Sequence, residues 1–265
     1  MTSLRDLQMT EFEILCKLDS VCKKNRISYS LAFGSALGAV RHDGFIPWDD
    51  DIDVMMGHKD YKKLLKLKKN ELGNFFLSSY KTEKEFPMPF TKLRKNNTKM
   101  EESCIRFLNI HTGVWVDIFP FTYAAKGSAL KKAQSYLLGI YCTLHYKYLN
   151  KHKMENNDEI VLNSKLCKVT NALPDWLIKP LKTLFFNLAC FVGTRKSGIM
   201  IQMDEPNNNK KIIDIDSIEN TVLHKFELGE FPIPLNYDKY LKKLYGDYMV
   251  PVKSHIHVNL EKVEL

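Results

Sequence analysis

The chain has 265 residues, 45% of them hydrophobic and 26% charged, which is ordinary for a folded protein with a sizeable core, and it carries no Pro/Gly/Ser-rich tract that would mark a long linker. Its formal charge of +8 and pI of about 9.0 favour anionic partners, among them nucleotides, phosphorylated glycans, nucleic acid and the anionic face of a membrane. Six scattered cysteines, Cys16, Cys22, Cys104, Cys142, Cys167 and Cys190, never form C-x-x-C, which argues against a zinc site or a disulfide framework and for a reducing cytoplasm. Arg5, Asp6, Glu11 and Glu13 interrupt the apolar run that a signal peptide needs. The longest strongly apolar stretch, Leu184 to Val192, is broken by Asn187 and falls short of the ~20 residues of a membrane span. The expectation is a cytoplasmic protein, with contact at the inner face of the membrane left open.

In chain order, Ser3-Leu4-Arg5-Asp6 resembles a capping box, and Leu4, Leu7, Ile14, Leu15, Leu18 and Cys22 continue at helical spacing, predicting a helix to about Lys24 ended by Asn25. Tyr29 to Phe33 reads as a buried strand that runs through the Gly34-Ser35 turn into a short helix from Ala36 to Arg41. Asp51-Ile52-Asp53-Val54-Met55 then alternates so that a strand would carry both carboxylates on one face. An amphipathic helix from His58 to Lys69 and strands at Phe75 to Ser79 and Phe90 to Arg94 follow.

Val114 to Phe119 is a further strand, rich in β-branched and aromatic residues, with Asp117 as its only charge and Pro120 as its stop. Beyond it the pattern turns helical, from Ser128 to Asn150 and from Val161 to Val192, around a polar break at Lys151 to Asp158. Asp204 to Lys211 reads as a loop. A last helix puts Tyr237, Tyr240, Leu241 and Leu244 on one face, with Gly246 as its C-cap. The expected architecture is α/β (α+β): a mixed sheet core flanked by helices, one domain over residues 1–265 with its core at about 1–125 and a helical extension at about 126–265.

Asp49, Asp50, Asp51 and Asp53 repel one another unless a cation neutralises them. Magnesium takes oxygen ligands and is commonly held by one or two carboxylates plus substrate phosphates, so Asp51 and Asp53 suit Mg2+, or Mn2+, on a phosphate-bearing substrate. A calcium loop of the EF-hand type fails, because Val54 stands where it needs glycine and Asp60 where it needs glutamate. Gly34-Ser35 offers close backbone approach, a hydroxyl and helix N-terminal N–H groups to a phosphate. Asp117, isolated among apolar residues, carries a desolvation cost unless it faces a cation or a polar site.

Together, Gly34-Ser35, Asp51-x-Asp53 and the lone strand Asp117 resemble the three-carboxylate signature of the nucleotidyltransferase superfamily, and the segment from Leu37 to Asp53 resembles that of the LicD family. Lys92-Leu93-Arg94 followed by Thr98, Val116 to Pro120, and Tyr240 to Gly246 agree with that family, while Thr122 and Lys95 stand where it commonly has acidic residues. The resemblance implies a fold of the nucleotidyltransferase type and a phosphocholine transfer. The donor would be CDP-choline or another CDP-alcohol such as CDP-ribitol or CDP-glycerol. The acceptor would be a sugar hydroxyl of a glycan or lipid-linked glycan, in lipopolysaccharide or teichoic acid. It implies Asp51, Asp53 and Asp117 as metal ligands and catalytic residues, with Asp117 orienting or deprotonating the hydroxyl.

Arg41, Lys92 and Arg94 are candidates for the phosphates, since guanidinium can engage two phosphate oxygens at once. Trp48 is a candidate for packing or for one wall of the donor pocket. Tyr80, Trp115, Tyr123 and Tyr141 could seat a quaternary ammonium. A nucleotidyltransferase moving a nucleoside monophosphate onto a small hydroxyl compound is the alternative reading, and the absence of a nucleic-acid motif argues against a nucleic-acid partner despite the basic charge. Two side readings remain: His255 and His257 as ligands, and the lysine-flanked Leu181 to Val192 stretch as a membrane-surface helix.

Overall fold

A computed structural model describes residues 2–102, 105–155, 165–251 and 260–265, so His255, His257 and Cys104 lie outside the described residues. In chain order the elements are α1 (Leu4–Asn25), β1 (Ser30–Leu31), α2 (Phe33–His42), β2 (Asp53–Gly57), α3 (His58–Leu64), α4 (Lys69–Leu72), β3 (Phe75–Ser78), β4 (Thr91–Lys95), β5 (Lys99–Met100) and β6 (Trp115–Tyr123). There follow α5 (Ser128–His145), α6 (Lys147–Glu155), α7 (Lys165–Ala172), α8 (Asp175–Val192), β7 (Ile199–Gln202), β8 (Ile212–Asp214), α9 (Asp216–Glu219), β9 (Thr221–Phe226), β10 (Gly229–Pro234), α10 (Tyr237–Tyr245) and β11 (Val263–Glu264). The α/β expectation therefore holds, with a mixed sheet at the centre.

That sheet runs β1-β2-β6-β4-β3, and β7 and β8 extend it from β6. β2 and β6 are parallel, whereas β4 and β7 meet β6 antiparallel. The capping box forms as read: the Asp6 N–H donates to the Ser3 hydroxyl at 3.1 Å and the Ser3 N–H to the Asp6 carboxylate at 3.0 Å, satisfying orphan donors at both ends of the turn. Arg26, in the left-handed region at φ 52, closes α1 by donating to the Cys22 and Lys23 carbonyls. Gly246, at φ 70, caps α10 as predicted.

Several boundaries differ, each for a local reason. The strand through Val114 to Phe119 is not stopped by Pro120 but continues to Tyr123. At that point β6 exchanges one antiparallel partner for another: β4 pairs up to Ile118, and β7 takes over at Phe121. The Pro120 carbonyl accepts from the Met203 N–H at 3.0 Å, so its missing donor falls at the gap between partners, where a proline costs the ladder least. The helix expected over Val161 to Val192 divides at Leu173-Pro174, because proline disfavours helical geometry in the residue before it. The helix expected from His58 to Lys69 ends at Leu64 and restarts as α4. Beside its helices, the part of the chain beyond residue 126 also supplies β7 and β8 to the central sheet and the β9–β10 hairpin.

Candidate active site

Parallel pairing puts Asp53 of β2 directly opposite Asp117 of β6, and antiparallel pairing puts Lys92 of β4 on the other side of Asp117. Three side chains from distant parts of the sequence thus stand in one row across the sheet. Asp51 lies two residues before β2 starts, yet the alternation reaches back to it: Ile52 is buried between the two acids and its carbonyl accepts from the Asp117 N–H at 2.9 Å. Among the described residues, the carboxylates that gather with ligand atoms within 4.8 Å of one another are Asp49, Asp50 and Asp51. Asp53 and Asp117 adjoin this trio without belonging to it.

Local structure explains why the acids hold these positions. The Ser35 hydroxyl, inside the first turn of α2, accepts from the Asp53 N–H at 2.8 Å, and the Asp53 carbonyl accepts from the Ala32 N–H at 2.9 Å. Ser35 is therefore a buried clamp that positions β2 rather than an open phosphate contact. Gly34 keeps its expected role of allowing close approach, but to a side chain of the protein: a Cβ there would lie 2.8 Å from the Asp49 Oδ2. The Gln8 amide of α1 donates to the Asp49 carbonyl at 2.9 Å and ties the helix to this loop.

A cavity of about 370 Å³ opens beside the acids. It brings together Gly34, Arg41, Trp48, Asp51 and Asp53 and adds Phe33 from α2, Tyr245 from the end of α10 and Tyr248 just beyond that helix. Arg41 donates to the Tyr248 carbonyl at 2.6 Å, so it binds the C-terminal wall while facing the cavity. Asp117, Lys92 and Arg94 do not line it.

The two basic residues of β4 are spent inside the protein. Lys92 lies 3.0 Å from Glu102 and 3.3 Å from Asp117, with its ammonium 3.7 Å from the centre of the Trp115 ring. Arg94 is 1% exposed, bonds Glu102 and the Gly113 carbonyl at 2.8 Å each, and stacks on Trp115. Its guanidinium is thus engaged by Glu102, Gly113 and Trp115 and does not line the acidic cavity. The Trp115 indole N–H donates to Asp117 Oδ2 at 3.2 Å, which fixes the carboxylate on its strand. Of the aromatics considered for a quaternary ammonium, Tyr80 and Tyr141 pack around His145, and Tyr123 packs against His58. None of the four faces the acidic cavity.

Burial and mutual repulsion dominate the electrostatics. Burial first, then the charges of Asp51 and Asp117, hold the Asp53 carboxyl well above the ordinary carboxylate range, opposed by Lys211. Asp117 is raised by burial and pulled back chiefly by Lys92. Glu11 is a member that sequence reasoning did not assign to the site. It is fully buried, neither carboxylate oxygen has a hydrogen-bond partner, and the charges of Asp51, Asp50, Asp117 and Asp49 add to burial in raising it. The available signal was a glutamate four residues from both Leu7 and Leu15, on the apolar face of α1. Lys211, in the segment read as a loop, sets its ammonium 3.3 Å from the centre of the Phe33 ring at the cavity wall.

The lipopolysaccharide cholinephosphotransferase LicD of Haemophilus influenzae is 46% identical over 63 residues, covering 24% of this chain and 24% of its own. Uncharacterised proteins of Rickettsia prowazekii and Rickettsia typhi are each 41% identical over 49 residues, or 18% of this chain, covering 18% and 16% of their own lengths. The similarity thus spans about a quarter or less of each of these relatives. A family model for the LicD/FKTN/FKRP nucleotidyltransferase domain matches residues 26–188, which contain Gly34, Asp51, Asp53 and Asp117, and the chain belongs to that family.

Proposed function

We propose that this chain transfers phosphocholine from CDP-choline to a sugar hydroxyl of a cell-surface glycan of the lipopolysaccharide type, with Mg2+ or Mn2+ held by its carboxylates. The observation that carries this reading is the in-register pair Asp53 and Asp117 beside the Asp49–Asp51 trio at the edge of the cavity. The donor set fits a hard divalent cation, since every candidate ligand is a carboxylate oxygen and Glu11 contributes two buried oxygens without hydrogen-bond partners. Asp51, Asp53 and Asp117 would hold it, with Asp49 and Asp50 adjoining. A cation bound there would neutralise the donor diphosphate, the main electrostatic requirement of phosphoryl transfer.

The residues of the chain supply the rest. Arg41 faces the cavity and offers its guanidinium to the nucleotide phosphates. Trp48, Tyr245 and Tyr248 present aromatic walls to a quaternary ammonium, whose attraction to ring faces strengthens in a desolvated pocket. Asp117, raised by burial and steadied by Trp115 and Lys92, is the carboxylate that orients the acceptor hydroxyl and takes its proton as the oxygen attacks the phosphorus bearing choline. CMP leaves.

The test is CMP release by purified protein given Mg2+, a glycan acceptor, and CDP-choline, CDP-glycerol or CDP-ribitol in turn. Release from CDP-choline alone supports the reading, and release only from another CDP-alcohol transfers it to that donor. No CMP from any of the three, with pyrophosphate formed from a nucleoside triphosphate, replaces it with nucleotidyl transfer.

A further inference from the structure

Helix α8 carries two features that the acidic site does not use. On one side, with residues 80–84, it walls a cleft of about 500 Å³ lined by Tyr80, Lys81, Lys84, Asp175, Lys179 and Lys182 among others. The lining sets four lysines against one aspartate, and that aspartate is already shared by Lys84 at 2.6 Å and Lys147 at 2.8 Å. Lys182 is 1% exposed, and among the described residues its ammonium makes no hydrogen bond or ion pair. Burial and the nearby Lys147 push it down to about 7. A buried ammonium without a counter-charge is costly unless an anion arrives from outside.

On its outer side the same helix presents Trp176, Leu184, Leu188 and Phe191, which are 75, 48, 37 and 86% exposed. Their spacing places them on one face of a helix with about 3.6 residues per turn. Trp176 belongs to both features, since it also lines the cleft. An apolar stripe of this kind marks a surface that another body covers, and here the adjoining cleft demands that the body carry anions. No helix among the described residues is long and apolar enough to cross a membrane, so insertion across a bilayer does not account for the stripe.

We propose that α8 docks laterally on an anionic lipid surface, with a headgroup phosphate in the cleft of Lys81, Lys84, Lys179 and Lys182 and with Trp176, Leu184, Leu188 and Phe191 in the apolar boundary beneath. Phosphate beside hydrocarbon is the chemistry of a phospholipid interface, where basic residues and an amphipathic helix act together. The docking stands apart from the phosphocholine reading and holds or fails without it.

The test is co-sedimentation of the protein, in EDTA, with vesicles of phosphatidylcholine alone and of phosphatidylcholine with about 30% phosphatidylglycerol. Wild type is expected to bind the anionic vesicles at least about tenfold more tightly than the neutral ones, and Lys182→Met and the pair Leu188→Ser with Phe191→Ser are each expected to weaken that binding by about tenfold or more. Lys24→Gln, on exposed α1 surface, is expected to leave it unchanged. The variants delete a buried charge or exposed side chains, so their far-UV circular dichroism should match wild type. Absence of binding to anionic vesicles, or equal binding by wild type and both variants, overturns the proposal. So does Lys182-dependent binding of soluble glycerol 3-phosphate by a protein that ignores vesicles.

Discussion

Replacing Lys92 by methionine keeps most of the apolar stem on Trp115 and deletes the ammonium between Asp117 and Glu102. Glu102 retains Arg94 at 2.8 Å, whereas Asp117 is left with the Trp115 N–H among like charges. Removing one partner of a buried pair costs about 3–5 kcal/mol, and the lower end applies because the orphaned carboxyl can escape by taking up a proton. A loss of about 3 kcal/mol lowers Tm by roughly 6–12 °C in a chain of this size. The pH dependence has a definite sign. Without Lys92 the folded-state pKa of Asp117, already raised, rises further above its unfolded value, so the penalty is present at neutral pH and recedes as pH falls through the new folded pKa. Urea unfolding of wild type and Lys92→Met in EDTA, at neutral pH and near pH 5, measures both effects. Lys95→Met is the control, because Lys95 meets Glu13 at the surface, where an ion pair contributes about 0–1 kcal/mol. A loss below about 1 kcal/mol for Lys92→Met, or the same loss at both pH values, would refute the reading that Lys92 offsets the burial of the Asp117 carboxylate.

Asp53→Asn should reduce CMP release by about a thousandfold while raising stability in EDTA, since it relieves repulsion from Asp51 and Asp117; turnover near wild type would remove Asp53 from the chemistry. Saturating Mg2+ at about 100 times its dissociation constant should stabilise wild type by about 2.7 kcal/mol, and thermal melts should show that gain largely lost in Asp53→Asn. Gly34→Ala should push Asp49 aside and weaken Mg2+ binding by about tenfold at unchanged fold, read by calorimetric titration. Lys182 has a folded-state pKa of about 7 against an ordinary 10.5. Between those values the unfolded chain holds the proton that the folded chain lacks, so this lysine makes stability rise with pH by up to about 1.4 kcal/mol per unit. Lys182→Met should flatten the slope relative to wild type, and parallel curves would contradict the burial of an unpaired ammonium.

What was legible in the sequence was what local pattern encodes. The capping box, the acidic segment and the lone Asp117 are short-range signals: the first starts α1, three acids of the second gather within 4.8 Å, and Asp117 stands opposite Asp53 in the sheet. The face-sharing of Asp51 with Asp53 was drawn from period-2 alternation, and although β2 begins only at Asp53, Ile52 is buried between them and both acids line the same cavity. Tyr245, Tyr248 and Lys211 were not assignable, since only tertiary packing brings the end of α10 and residue 211 to a cavity built from residues 33–53. The burial of Arg94 among Glu102, Gly113 and Trp115 could not be read from the sequence, where charge is visible and burial is not. Glu11 was overlooked for the converse reason: an acid in an amphipathic helix ordinarily meets water.

The exchange of partners at Pro120 also bears on the order in which the protein can assemble during synthesis. β4 precedes β6, so one half of the β6 edge finds its neighbour as soon as β6 emerges, but Phe121 to Tyr123 must wait for Met200 to Gln202. For all the intervening translation that half is an open strand edge, the kind of surface on which nascent chains pair wrongly with one another. A residue with no N–H to donate sits at the boundary of the waiting edge, which makes Pro120 a guard for the unfinished chain as well as a seam in the finished sheet.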